Sequence, residues 1–188
     1  MHPAEHRGLR ELHAAARQLR VHWRELGQRL DAVGHACPQL AEGSDAAAEL
    51  LSHLSAASTA RGLHARPAAQ GLGKRIAGAR LALVDPALEV NQALRMAVLD
   101  ATHVATLLAY LGRLAAQRGD DELATILDGW IAPVRVHEDA LRAAAIACAD
   151  DPDAAIAAAT PGLAGRAGHA VANVAGTAGE WVDRRLRR

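Results

Sequence analysis

Between Leu9 and Val33 the apolar residues Leu9, Leu12, Ala16, Leu19, Trp23, Leu26, Leu30 and Val33 recur at alternating intervals of three and four. That spacing puts all of them on one stripe of an α-helix, and no strand accommodates it, because successive side chains on a strand alternate between faces. At about 1.5 Å per residue, a helix from Pro3 to Val33 is long enough to be a bundle member, and its single stripe requires other helices to cover it. The rest of the chain offers nothing else: Phe is absent, and Ala, Leu and Arg outweigh the β-branched and aromatic residues that build sheets. The expectation is an all-α protein.

The remaining elements follow from breaks and caps. Pro38 and the run Ala41-Glu42-Gly43-Ser44-Asp45 read as a loop, followed by a second helix with Leu50, Leu51, Leu54 and Ala57 on one side. Gly62, Pro67, Gly71, Gly73 and Gly78 interrupt the next stretch, which reads as a crossover with a short helix around Leu72–Val84. Asp85-Pro86 predicts the start of a third helix running to about Gln117, with Leu94, Val98, Ala101, Ala105, Leu108 and Ala115 inward. Gly119 stops it and Asp120 caps a fourth helix, about Asp121 to Ala149, presenting Leu123, Ile126, Leu127, Trp130, Val134, Leu141 and Cys148. So short a connection forces an antiparallel pair. Pro133 lies inside that helix and predicts a kink near Gly129–Pro133. Asp151-Pro152 opens a short Ala-rich helix, and Thr160-Pro161 opens a Gly/Ala-rich amphipathic tail. Residues 1–150 are thus expected to form the bundle and 151–188 the appended segments.

This order of segments resembles the ferritin-like superfamily, in particular the YciE/YciF type of bacterial stress-associated proteins. The resemblance lies in Glu11 to Leu19 of the first helix, the crossover from Gly71-Leu72, Asp85-Pro86, Ala93-Leu94, and above all the hairpin Leu114 to Ala124; it covers about Leu9 to Ala145. It implies an antiparallel four-helix bundle with a helical crossover between the second and third helices. It also implies inward carboxylates and histidines for a di-metal centre. Here the first-helix carboxylate position falls on Ala16, the second-helix position near Ala56, the third-helix pair near Ala101 and Val104, and the fourth-helix glutamate near Val134. All are apolar, so the resemblance implies the fold and argues against the metal chemistry.

Other chemistry has little support in the residues. Asp100 and His103 stand three apart in the third helix, and His137-Glu138 lie in the fourth; together they make the alternative, displaced site for iron, manganese or zinc. Asp100 is expected to flank the buried stripe, and His13 and Tyr110 to be polar plugs beside the bundle seam. No Gly-x-Ser-x-Gly occurs, and Gly71-Leu72-Gly73-Lys74 has no preceding strand to make it a phosphate loop. Cys37 and Cys148 read as buried free thiols. Twenty-one Lys+Arg balance 21 Asp+Glu, so no global field draws the protein to nucleic acid or an anionic membrane, and neither is an expected partner. The tail is different: Ala167, Val171, Val174, Ala178, Trp181 and Val182 share a narrow face, and Arg184, Arg185, Arg187 and Arg188 follow. Trp181 and these arginines are the candidate partner contacts.

No signal-peptide pattern and no apolar run of about 20 residues is found, so the expected location is the cytoplasm. The expected function is that of a non-catalytic, ferritin-like structural or stress-associated interaction protein, a homodimer without cofactor. The alternative is a ferritin-like metal-binding protein or oxidoreductase.

Overall fold

The computed structural model describes residues 2–64, 69–83 and 87–162, and these are all-helical: no strand occurs among the described residues, apart from an isolated bridge between Glu89 and Ala158. Four long helices and two shorter ones follow in order: α1 (Pro3–Ala32), α2 (Pro38–Ala60), α3 (Ala69–Leu83), α4 (Val90–Gln117), α5 (Asp121–Ala147) and α6 (Pro152–Ala155), with a 3₁₀ turn at Cys148–Asp150 before the last.

Helix α1 forms as its stripe predicts, with Leu9, Leu12, Ala16, Leu19, Trp23, Leu26 and Leu30 all buried; Val33 falls just past its end and is exposed. His2 caps its start, its ring accepting from Ala4 N, while the Glu5 side chain returns to the His2 N–H. Helix α2 corrects the expected loop over Ala41–Asp45. Pro38 is pre-organised for the first helical turn, and the helix runs on through those residues because Gly43 and Ser44 are needed against α1. The Trp23 ring lies directly over Gly43, where any Cβ would collide with it. The Ser44 hydroxyl donates to the Arg20 carbonyl at 3.0 Å.

Helix α4 begins at Val90 rather than after Asp85-Pro86, which lies outside the described residues. Glu89 and Gln92 form a reciprocal capping box there. Asp120 caps α5 as expected, its carboxylate accepting from Leu123 N at 3.1 Å, and Gly119 turns the chain at φ +76. Helix α5 runs from Asp121 to Ala147 with Pro133 inside it, as its apolar stripe indicated.

Contacts between helices set their directions. Helix α1 packs on α2, α3 and α4, and α5 packs on α2 and α4. Along α1 and α4 the partners run in opposite order, with Glu5 on Arg118, Gly8 on Leu111 and Trp23 on Ala97. The same holds for α1 with α2 (His13 on Ser58, Arg24 on Asp45), for α2 with α5 (His53 on Trp130, Arg61 on Asp120) and for α4 with α5 (Asn91 on Ala145, Thr102 on Glu138). Every such pair is antiparallel, so α2 and α4 point the same way. The chain between them must therefore return along the length of the protein. Helix α3 is part of that return, and Gly73 brings it so close to α1 that an added Cβ would meet the Ala14 carbonyl.

Among the described residues α4 alone is long and apolar enough to cross a membrane by length and composition, and 56% of that stretch is buried, as in a core helix.

Candidate functional site

Ala16, Ala101, Val104 and Val134 converge from α1, α4 and α5 on one internal void of about 20 Å³. Helix α2 contributes Gly43, Ala46, Ala47 and Leu50 to its wall. The sequence reading named Ala56 for this helix; Ala56 is instead exposed, on the outer side facing α5. The difference of nine or so residues follows from where α2 starts, since a helix beginning at Pro38 carries Ala47 to the level of Ala16. Alanine, valine, leucine and glycine side chains supply no atom to a cation, and of the lining residues only His137 has a metal-ligating group. A di-metal centre needs several facing carboxylates. This donor set does not fit one.

The displaced-site residues are also separated. Asp100 is buried rather than on a flank, and it accepts from His22 Nδ1 at 2.7 Å and from Gln18 at 3.3 Å. His103 is exposed, 3.6 Å from Glu11 on the α1–α4 surface. Glu138 is buried under Arg142 (2.5 Å) and Arg135 (3.3 Å) and accepts from the Thr102 hydroxyl at 2.7 Å. His137 turns toward the void. Among the described residues no three His, Cys, Asp or Glu side chains gather as a cation would require.

The histidine pattern contains interior positions that spacing alone did not separate. His22 is fully buried with Asp100, and His13 is buried with its Nε2 3.1 Å from the Ser58 hydroxyl. Burial holds the His13 imidazole below its ordinary pKa. The available signal for Glu138 was local: Arg135 and Arg142 lie one turn away on either side. Tyr110, expected beside the seam, is 52% exposed. Both cysteines are free and buried, and burial pushes the Cys37 thiol up to about 11, leaving it protonated and a poor nucleophile at neutral pH. Cys148 Sγ lies 3.9 Å from His35 Nε2.

Between α2 and α5 an open groove of about 670 Å³ is walled by Ala56, Ala57, Ala60, Ile126, Gly129 and Pro133. At one side Trp130 donates its indole N–H to His53 Nδ1 at 2.9 Å, the two rings meeting edge to face. Glu122 stands at its rim. Trp181, Arg184, Arg185, Arg187 and Arg188, the partner contacts expected from sequence, lie outside the described residues.

No family model, no curated protein and no solved structure matches this chain.

Proposed function

We propose that the protein is a non-catalytic, ferritin-like four-helix bundle whose metal site has been replaced by hydrocarbon, and that it acts in the cytoplasm as a homodimeric structural or stress-associated interaction protein. The helix directions support this fold: α1, α2, α4 and α5 are each antiparallel to their neighbours, with a return crossover between α2 and α4. The observation that carries the reading is the meeting of Ala16, Ala101, Val104 and Val134 around one small void. Buried carboxylates without an ion are costly, so a bundle with no metal to hold is more stable with small apolar groups in their place. Leu99 and Ile146, both exposed beside a hollow between α4 and α5, support association through the long-helix faces.

Metal analysis of protein purified without a His-tag tests the reading. The expected result is iron, manganese and zinc far below one equivalent per chain. One or two tightly held equivalents would return the protein to the metal-binding, oxidoreductase class.

A further inference from the structure

We propose that the cavity between α1 and the turn that ends α2 binds a small phosphomonoester, with Arg10, His6, His64 and Ser58 around its phosphate and Leu9 and Leu63 against a short apolar body. The inference goes beyond the scaffold reading and does not depend on it.

Two local features build the cavity. His6, Arg10 and His13 stand four and three residues apart, so α1 carries them on one face. On the facing wall α2 ends in a glycine turn: Gly62 takes φ +69, and the N–H groups of Gly62 and Leu63 donate back to the Thr59 and Ser58 carbonyls. That turn brings Leu63 and His64 to the same cavity as Ser58. It also occupies two carbonyls at the helix end that would otherwise repel an anion.

The lining is rich in donors. The cavity measures about 240 Å³, and among the described residues no carboxylate borders it. The acids close to it along the chain are engaged elsewhere: Glu5 with Arg118, Glu11 with His103, and Asp120 and Glu122 with Arg61. Arg10 is exposed and makes no ion pair among the described residues, so its guanidinium is available to a ligand. The Ser58 hydroxyl is buried, 3.1 Å from His13 Nε2; that bond uses one of its donor and acceptor sites and leaves others for a ligand.

This donor set selects the ligand class. A cation is disfavoured, since no three His, Cys, Asp or Glu side chains gather on a point among the described residues and the Arg10 charge repels it. Donors arriving from two elements outnumber the two oxygens of a carboxylate and match the three of a phosphate ester. The volume lies below the roughly 300–1,000 Å³ typical of sites for drug-sized molecules, which limits the ligand to a phosphate on a small body.

Titration of the full chain with phenyl phosphate, benzoate and inorganic phosphate, at constant ionic strength in chloride, tests this. Phenyl phosphate is expected to saturate with a Kd below about 1 mM and to bind at least threefold tighter than either of the others. In histidine side-chain NMR spectra the signals of His6, His13 and His64 are expected to shift while those of His103 and His137 stay in place. Arg10→Gln and His64→Gln, both at exposed positions, are expected to weaken binding about tenfold and about threefold with the CD spectrum retained, as the loss of a charge-assisted or a neutral hydrogen bond implies. Arg95→Gln, beside the hollow between α4 and α5, is expected to bind like the parent. Absence of saturation up to about 10 mM, benzoate binding as tightly as phenyl phosphate, or equal affinities of the parent and Arg10→Gln would each overturn the proposal.

Discussion

His13 illustrates how a residue's environment decides its role. In sequence it is one of ten histidines; in the fold its ring is 1% exposed and bonded to Ser58. Because burial depresses its pKa in the folded state, the neutral form is favoured, and the unfolded chain binds the proton more readily. The stability contributed by the neutral ring is full above the unfolded value of 6.5 and is lost as pH falls through the lower folded value. His13→Gln is therefore expected to flatten the pH dependence of unfolding free energy below pH 6.5, measured by urea titration against the parent. Identical slopes would show that His13 does not titrate differently in the two states. Gly43 is a second case, legible in sequence only as a helix breaker. The Trp23 ring occupies the space a side chain would take, so Gly43→Ala should cost about 1–3 kcal/mol despite alanine's better helix propensity. A urea midpoint equal to or above the parent's would contradict that packing.

A local cap signal can be legible while its tertiary partner is not. Asp120 is found at the start of α5 as its spacing from Gly119 indicated, but its partner was invisible because Arg61 comes from the far end of α2. The Arg61 guanidinium holds the Asp120 carboxyl well below its usual value, from 3.8 to about 2. An ionised carboxylate with a lowered pKa stabilises fully above 3.8, and that contribution disappears as pH drops through about 2. Asp120→Asn should thus lessen the loss of stability over this acid range and lower the thermal midpoint at neutral pH; parallel acid limbs for parent and variant would refute it. The start of α2 was misread for a related reason: Glu42-Gly43-Ser44-Asp45 has loop composition, but Gly43 and Ser44 are helical because α1 lies against them.

For the molecule as a whole, the antiparallel directions and the apolar interior support the scaffold reading, and association is the part of it that solution measurements reach most directly. Leu99 is 57% and Ile146 68% exposed on neighbouring turns of α4 and α5. Leu99→Glu with Ile146→Glu is expected to shift the protein from dimer to monomer in sedimentation velocity, with the helical CD spectrum retained, since an interface core excludes unpaired charge. A parent protein that sediments as a monomer would remove the homodimer from the proposal. The all-α class, the four stripes and the apolar residues at Ala16, Ala101 and Val134 were determined by the sequence alone, because helical periodicity is a local property that each segment carries within itself. Only the tertiary structure decided that Ala47 rather than Ala56 meets them, that Asp100 belongs to His22, and that Glu138 lies beneath two arginines. Those are relations between residues on different turns or different helices, set by the register in which the helices pack.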